Sequence, residues 1–361
     1  MNLYMRSTKY FYVAATVAVA MVVLAGCSAP PSTSTATNSN GPSGCLVADT
    51  AGINDNGFNE LAWSGLKEAR VKLGSPVKYL AAATPTDYPT DIKAFVTQKC
   101  DLIVTTGFLM GDATEAAGKA NPESKFAIAD VSYSPNIPNI RGMVFAVDQG
   151  SFQAGFAGAA ASKTGIVGTF GGVQIAPVEL YMDGFARGVA YFNKENHKNV
   201  KVLGWSVAQK NGTFIGNFTD QEKGKGIAQG MMQQGADVIF PVASTAGLGA
   251  FAAIKSNGNG VLAVKGDTDG CLVYPQYCSI FLTSALKNVQ AAVFTAMSTL
   301  KDKNSTGTTY VGTLKNGGTG ITSFRANGSR VSTSARAQLA KLRTDLSDGN
   351  VVVGSSFGVT Q

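Results

Sequence analysis

Short apolar runs alternate with amphipathic segments along most of this chain. The run Cys45-Leu46-Val47-Ala48 is followed by residues 58–73, in which apolar side chains recur at helical spacing. The same order recurs through residues 77–147 and again through residues 166–283. Such alternation predicts an α/β fold in which a parallel sheet carries helices on both faces. Two sets in series predict two doubly wound lobes, joined by a hinge, with a ligand cleft between them.

The pattern also predicts the individual elements. Buried strands of parallel sheets read as continuous apolar runs, and the helices read as stretches with apolar residues three and four apart. Strands are predicted at residues 45–48, 77–81, 102–106, 126–129, 142–147, 166–170, 200–206, 238–242, 260–264 and 280–283. Helices are predicted at residues 58–73, 88–98, 112–120, 178–193, 221–234 and 248–256.

The N-terminus has the features of an export signal. Arg6 and Lys9 precede an uncharged, mostly apolar stretch at residues 11–24, and the sequence Leu-Ala-Gly-Cys then ends at Cys27. A basic start, a short apolar core and small residues before a cleavage point are typical of a secretory signal peptide. The Leu-Ala-Gly-Cys ending resembles the bacterial lipobox, in which the cysteine is acylated. We therefore expect residues 1–26 to be a lipoprotein signal peptide and Cys27 to carry lipid.

An uncleaved membrane helix is the alternative for this segment, although a spanning helix needs roughly 20 apolar residues. Residues 28–43 are rich in Ser, Thr, Asn and Pro, with no charge and no large apolar side chain. Such a segment cannot bury enough surface to fold, so residues 27–43 are predicted to be a lipidated cysteine and a disordered linker. We expect the protein to lie outside the cytoplasm, attached to the cell membrane through lipid.

Charge and motif content argue against several classes of function. The formal net charge of +7 is spread along the chain without a run of Lys and Arg, so nucleic acid is not a predicted partner. The single histidine, His197, lies in a polar segment, and the sequence lacks the Gly-x-Ser-x-Gly, HExxH and four-cysteine zinc patterns. We expect neither an enzyme nor a metal site, and no cofactor.

Four cysteines remain once Cys27 is lipidated, and an exported compartment permits disulfides. Cys45 and Cys100 each begin an apolar run, so their sulfurs start side by side if these runs are neighbouring parallel strands. Cys271 and Cys278 bracket a short loop. Four cysteines allow three pairings, and we favour 45–100 with 271–278. Free buried thiols are the alternative.

Polar and aromatic residues follow the predicted strands, at the edge where parallel sheets bind ligands. Asp267 and Asp269 form a carboxylate pair that suits acid–base chemistry or a metal, although loop aspartates are more often hydroxyl acceptors or caps. Phe58 begins a helix, where it either packs against its own loop or stacks on a planar ligand. The loop at residues 244–249 opens a helix and is a candidate phosphate cradle, but it lacks the Lys-Ser/Thr of a P-loop.

The chain resembles the basic membrane protein (BMP) family of bacterial lipoproteins. Members are substrate-binding proteins of ABC importers and include purine nucleoside receptors. Each matching motif is weak by itself, but their order along the chain is specific. The motifs are DTAGINDNGFNELAWSG from Asp49, VDQGSFQAGFAG from Val147, Gly171-Gly172, Asp183-Gly184-Phe185, FTDQEKGKG from Phe218, GADVIF from Gly235, Gly247-Leu248-Gly249, Asp267 to Asp269, TSALKN from Thr283, and Asp348 to Val351.

The resemblance implies a type I periplasmic-binding-protein fold with three crossings between the lobes. The implied N-terminal lobe contains residues 44–148 and about 284–308, and the implied C-terminal lobe contains residues 149–283 and about 309–361. The resemblance also implies a purine base held between Phe58 and Phe218. The other implied ligand-binding residues are Asp49 at the end of the first strand, Asp130 on the base, and Asp267 with Lys287 on the ribose hydroxyls.

Three positions depart from the pattern of the family. Thr50 stands where nucleoside-binding members often have an asparagine that contacts the base. Ser244 begins a Ser-Thr-Ala sequence that replaces a usual glycine-rich run beside the ribose, and Lys265 replaces a glycine. By position, Thr50 and Ser244 belong to the expected ligand-binding set.

Taken together, these features predict a lipid-anchored monomer that binds a nucleoside, with a purine favoured, and passes it to an ABC permease. A sensory or sugar-binding surface lipoprotein of the same fold is the first alternative. A nucleosidase that uses Asp267 and Asp269 is the second.

Overall fold

The structure is a computed structural model that describes residues 40–302 and 305–355. The predicted signal peptide, the lipidation site at Cys27 and most of the predicted linker lie outside the described residues.

The strands, in chain order, are β1 (Gly44–Ala48), β2 (Val77–Ala81), β3 (Leu102–Thr106), β4 (Phe126–Ala129), β5 (Ile140–Phe145), β6 (Ile166–Gly171), β7 (Lys201–Leu203), β8 (Trp205–Ser206), β9 (Asn211–Gly212), β10 (Val238–Val242), β11 (Leu262–Asp267), β12 (Phe281–Lys287), β13 (Thr309–Gly312) and β14 (Thr319–Ile321).

Helices separate most of these strands. Short 3-10 turns lie at Pro85–Asp87, Phe108–Met110, Ser244–Ala246, Pro275–Ile280 and Arg325–Arg330. No helix in the described ranges is both long enough and apolar enough to cross a membrane. The α-helices are α1 (Phe58–Leu73), α2 (Tyr88–Thr97), α3 (Gly111–Ala120), α4 (Val147–Ala161), α5 (Ala176–Asn196), α6 (Gln221–Gln233), α7 (Gly247–Asn257), α8 (Gly270–Val273), α9 (Val289–Ser298) and α10 (Thr333–Ser347).

The first lobe is built on a six-stranded sheet with the order β13-β5-β4-β3-β1-β2, in which all neighbours are parallel. The central strands β1, β3 and β4 are buried along their whole length, as expected of strands covered by helices on both faces. A disulfide joins Cys45 in β1 to Cys100 just before β3, with 6.2 Å between their Cα atoms. This pairing confirms the predicted one. The two cysteines lie close together because β1 and β3 are neighbours in the sheet.

The second lobe is built on another six-stranded sheet, with the order β14-β12-β11-β10-β6-β7. Its pairs are parallel except for β12 and β14, which are antiparallel. The second predicted disulfide, Cys271–Cys278, is also present and closes the loop that contains α8. The parallel α/β architecture with two sheets is therefore confirmed.

The predicted strand at residues 200–206 is interrupted in the structure. Lys201–Leu203 pairs with β6, but Gly204 adopts a φ of 82° and turns the chain out of the sheet. Trp205–Ser206 then pairs with Asn211–Gly212 in a separate two-stranded hairpin. A side chain at Gly204 would place its Cβ 2.0 Å from the Thr169 carbonyl oxygen, so both the turn and the packing require glycine here.

Within residues 40–302 and 305–355 the chain crosses between the lobes three times. The first crossing follows β5, because α4 packs against α5 and β14 of the second lobe. The second follows β12, because α9 packs on α1 of the first lobe. The third lies between β13, which pairs with β5, and β14, which pairs with β12. The expected lobe boundaries therefore differ at two segments: residues 284–287 complete a strand of the second sheet, and residues 309–312 form the edge strand of the first.

Candidate ligand-binding cleft

A cleft between the two lobes contains most of the predicted site residues. It holds about 810 Å³ of space between atoms, including the part open to solvent. Thr50 is exposed and does not line the cleft, so it is separate from the other predicted residues. Those that line the cleft are Asp49, Phe58, Asp130, Phe218, Ser244, Asp267 and Lys287.

Two phenylalanines reach the cleft from different lobes. Phe58 is the first residue of α1, and Phe218 lies in the loop before α6. Both side chains are partly buried. The backbone of Phe218 is held in place, because its carbonyl oxygen accepts hydrogen bonds from the Ala246 amide at 2.8 Å and from Thr245 Oγ1 at 2.7 Å. Each lobe thus supplies one aromatic ring to the same space.

Asp49 follows β1 and is fixed by a chain of hydrogen bonds. Its Oδ1 accepts from Asn59 Nδ2 at 2.7 Å and from the Ala51 amide at 2.9 Å. Thr106 Oγ1 in turn donates to Asn59 Oδ1 at 2.6 Å. Burial raises the pKa of Asp49, although these hydrogen bonds favour the charged form. The described residues leave Oδ2 without a hydrogen bond, beside Gly107, as an acceptor at the cleft.

Lys287 and Asp130 form an ion pair between the lobes. Lys287 Nζ lies 2.7 Å from Asp130 Oδ2, and the exposed fractions of the two side chains are 4% and 10%. Burial raises the pKa of Asp130, while the charge of Lys287 opposes this shift. The ammonium of Lys287 also lies 4.8 Å from the ring centroid of Phe58 and 5.4 Å from that of Tyr181. In the structure Lys287 pairs with Asp130, and its implied action with Asp267 on the ribose stays a prediction.

Asp267 ends β11 and is paired with a tyrosine that sequence reasoning missed. The Tyr181 hydroxyl donates to Asp267 Oδ1 at 3.0 Å. Burial, followed by the charge of Asp267, raises the pKa of Tyr181 well above its usual value, so the phenol stays protonated and acts as a donor. Tyr181 lies in the predicted helix of residues 178–193, where an aromatic side chain is usually part of the core. No pattern in the sequence separated it from its apolar neighbours.

Asp269 does not line the cleft. Its carboxylate is bound by Arg325 and accepts from the Cys271 amide at 3.0 Å, which caps the short helix α8. Within the described ranges no group of three or more His, Cys, Asp or Glu side chains is placed to hold a metal ion. The interpretation of Asp269 as a cap is therefore favoured over a catalytic or metal-binding pair with Asp267.

Asp55 is a second residue that sequence reasoning missed. It is 1% exposed, and its carboxylate accepts hydrogen bonds from the amides of Gly57, Asn59 and Glu60 at the start of α1. Burial raises its pKa to about 6 despite these hydrogen bonds. An aspartate whose side chain accepts from the amide two residues later forms an Asx turn, and such a turn before a helix is a pattern that a sequence can show.

The lobes contact each other at the loop that contains Asp55. Thr268 Oγ1 donates to the Asn56 carbonyl oxygen at 2.8 Å, and the Tyr274 hydroxyl donates to the Asp55 carbonyl oxygen at 3.3 Å. Ser244 Oγ lies 3.4 Å from Asp55 Oδ2. The structure therefore shows the lobes in contact around the cleft, as in the closed form of a hinged protein.

Several cleft residues have an unusual backbone conformation. Non-glycine residues rarely adopt a positive φ, which costs energy and tends to occur where a ligand is bound. Asp130 and Asp267 each have a φ of 68°, Asn56 has 50° and Ser244 has 46°. Asp130, Asp267 and Ser244 line the cleft, and Asn56 lies in the loop before α1, so four of the eight non-glycine residues with positive φ in the described part of the chain lie at or beside the candidate site.

The loop at residues 244–249, a candidate phosphate cradle, contains a glycine that helix packing explains. Ser244–Ala246 is a single 3-10 turn, and α7 begins at Gly247. A Cβ at Gly249 would lie 1.8 Å from the Gln221 carbonyl oxygen, so this glycine allows α6 and α7 to pack closely. The glycine is thus explained by helix packing.

Relatives and solved structures agree with this architecture. The chain is 30% identical to the ABC transporter nucleoside-binding protein BmpA of Lactococcus lactis over 95% of its own length and 98% of that protein. It is 28% identical to basic membrane protein A of Borreliella burgdorferi, over 87% and 88% of the two chains. A solved ABC transporter solute-binding protein from Aeropyrum pernix superposes with a TM-score of 0.76 at 23% identity, covering 86% of this chain and 93% of that one.

These similarities confirm the predicted type I periplasmic-binding-protein fold. The model of the Bmp family, described as ABC transporter substrate-binding protein PnrA-like, matches residues 44–344. The match spans both lobes and the whole cleft, and the family is one of transport receptors rather than enzymes. This chain therefore belongs to the Bmp family of PnrA-like ABC transporter substrate-binding proteins.

Proposed function

We propose that this protein binds a purine nucleoside in the cleft between its lobes and delivers it to an ABC permease. The observation that carries the proposal is the position of Phe58 and Phe218, which line one cleft from opposite lobes. A purine base offers two π faces, and stacking on an aromatic side chain contributes roughly 1–3 kcal/mol per base. The name of the Lactococcus lactis relative, a nucleoside-binding protein, supports the same ligand class.

The charges of the cleft favour a nucleoside over a nucleotide. Its carboxylates are Asp49, Asp55, Asp130 and Asp267, and its cations are Lys265 and Lys287. Among the described residues that line the cleft there is no arginine, the side chain best suited to binding phosphate at two points. A phosphate would be repelled by the excess of carboxylates, whereas the amino and hydroxyl groups of a neutral nucleoside donate hydrogen bonds to them.

Closure of the lobes is the event that the permease would recognise. The contacts of Asn56, Asp55 and Asp130 with the second lobe hold the two sheets together. A ligand that binds both aromatic rings bridges the lobes and shifts the hinge equilibrium towards this closed form.

A lipid anchor at Cys27 is part of the proposal, with the protein held as a monomer outside the cytoplasmic membrane. Support comes from the Leu-Ala-Gly-Cys sequence and from the uncharged linker that follows it. One acyl chain binds a membrane only reversibly, so stable anchoring requires more than one. Cys27→Ser should move the protein from the membrane fraction to the medium, and retention in the membrane would contradict the anchor.

The ligand can be identified by mass spectrometry of the protein purified under native conditions. The protein is denatured, and the small molecules released are separated and identified. A purine nucleoside is expected, whereas a sugar or a peptide would overturn the proposal. Free purine base formed during incubation with a nucleoside would instead indicate hydrolysis.

A further inference from the structure

Lys265 is a buried lysine at the cleft. It lies in β11, is 5% exposed and lines the cleft. Its ammonium donates to the Gly266 carbonyl oxygen at 2.5 Å, and this is its one hydrogen bond among the described residues. No described carboxylate oxygen forms an ion pair with it. Because an ammonium has three N–H donors, two remain without a partner at the edge of the ligand space.

A buried charge with so few partners lowers stability unless another group satisfies it. Burial lowers the pKa of Lys265, and the charges of Asp267 and Asp55 oppose this shift. The lysine thus lies near two carboxylates whose charges oppose the effect of burial, although neither forms an ion pair with it. The partner for its two remaining donors must then come from the contents of the cleft.

Lys265 and Lys287 have different roles in this arrangement. Lys287 is bound to Asp130 at 2.7 Å, so its charge is already satisfied between the lobes. Lys265 instead lies two residues before Asp267 on the same strand, and both residues line the cleft. The second lobe thus presents one acceptor, Asp267, and one donor, Lys265, on one side of the cleft.

A hydroxyl group matches such a pair, because it accepts one hydrogen bond and donates another. An anionic group would be repelled by Asp267 and Asp55, and an aliphatic group would leave the ammonium unsatisfied. We propose that Lys265 determines specificity by donating a hydrogen bond to a sugar hydroxyl of the ligand beside Asp267. This inference rests on the proposed nucleoside function and adds Lys265 to the residues expected to contact the sugar.

The test is a thermodynamic cycle in which the lysine side chain and each ligand hydroxyl are removed separately and together. The full-length protein, purified in detergent, and its Lys265→Met variant are titrated by calorimetry with adenosine and with 2′-, 3′- and 5′-deoxyadenosine. Loss of a hydrogen bond to a charged group should weaken adenosine binding roughly 10- to 100-fold in the variant. For the one analogue that lacks the partner hydroxyl, the affinities of the variant and of the unmodified protein should differ by about twofold or less.

Equal losses for all four ligands, or no loss for any, would overturn the role of Lys265. Lys119→Met is the matched control, because Lys119 is exposed and pairs only with Glu115 on its own helix; it should bind like the unmodified protein. Lys265→Gln, which keeps a donor, provides a second variant and should retain part of the preference for adenosine. If the unmodified protein binds none of the nucleosides, the proposed function itself fails. If it binds them but the lysine and the hydroxyls show no coupling, only the role of Lys265 fails.

Discussion

Lys287 Nζ donates to Asp130 Oδ2 at 2.7 Å and joins the end of a strand in one sheet to the loop after a strand in the other. Both side chains are buried, and the aromatic rings of Phe58 and Tyr181 surround the ammonium. The pair therefore connects closure of the lobes to the part of the cleft where a base would stack.

Removal of one partner of this pair should lower the free energy of unfolding more than removal of both. Asp130→Asn and Lys287→Met each leave a buried group unmatched, which costs on the order of 3–5 kcal/mol for a buried pair. The double variant replaces the pair by neutral groups and should recover part of the loss. Urea unfolding free energies of the unmodified protein, the two single variants and the double variant measure the coupling. If the losses of unfolding free energy in the two single variants add up to the loss in the double variant, the two residues act independently.

Phe58→Ala and Phe218→Ala should each weaken nucleoside binding by roughly 1–3 kcal/mol through loss of stacking. Phe58→Leu keeps an apolar side chain that can pack on the loop but removes the π face, so its affinity separates stacking from packing. Phe294→Ala is the control, because this ring lies on α9, outside the cleft, under the ammonium of Lys72 at 5.0 Å. Unchanged affinity in both cleft variants would favour a purely structural role for these rings.

Asp55 should make stability depend on pH below neutrality. Its pKa is about 6 in the folded protein against an ordinary value of 3.8, so between these values the folded state binds more protons than the unfolded state. Its contribution to the free energy of unfolding is therefore largest at acid pH, falls as pH rises from about 4 to about 6, and is constant above.

The check compares urea unfolding of the unmodified protein and Asp55→Asn at several pH values from 4 to 7. The unmodified protein should lose stability more steeply as pH rises through this window, because the asparagine does not titrate. Asp148, whose pKa burial also raises to about 6, is present in both proteins and does not affect the comparison. Parallel curves would show that the carboxyl of Asp55 is not perturbed.

The two disulfides should differ in their effect on stability. Cys45–Cys100 spans 55 positions of sequence and Cys271–Cys278 spans 7. The chain-entropy relation then gives roughly 4 kcal/mol for the first and roughly 2 kcal/mol for the second. Urea unfolding of the variants Cys45→Ala/Cys100→Ala and Cys271→Ala/Cys278→Ala measures both losses. A larger loss for the shorter loop would contradict this account.

Much of the fold could be predicted where apolar runs and helical faces alternate clearly. The helix Phe58–Leu73 and the strands Val77–Ala81 and Leu102–Thr106 have the predicted bounds. The helix Val147–Ala161 was not predicted, because it is buried on nearly all sides and has no polar face to show a helical period. The break at Gly204 depends on contact with another strand, which local patterns do not record.

The residues of the candidate site could be predicted from the sequence where they lie at the ends of strands. Asp49 and Asp130 come directly after parallel strands and Asp267 ends one, and the carboxyl ends of parallel strands meet at one edge. The choice of Asp130 as the partner of Lys287 depends on how the lobes approach each other, and no local pattern encodes that approach. Tyr181 was missed for the same reason, since its partner lies 86 positions away.

Nucleoside capture is tested most directly by isothermal titration calorimetry of the purified protein. The ligands are adenosine, guanosine, inosine, cytidine, uridine, glucose and a tripeptide. The stacking site formed by Phe58 and Phe218 predicts saturable binding of the purine nucleosides, weaker binding of the pyrimidine nucleosides because of their smaller ring surface, and no binding of glucose or the tripeptide. Binding of glucose or the tripeptide, with no heat from any nucleoside, would contradict the account.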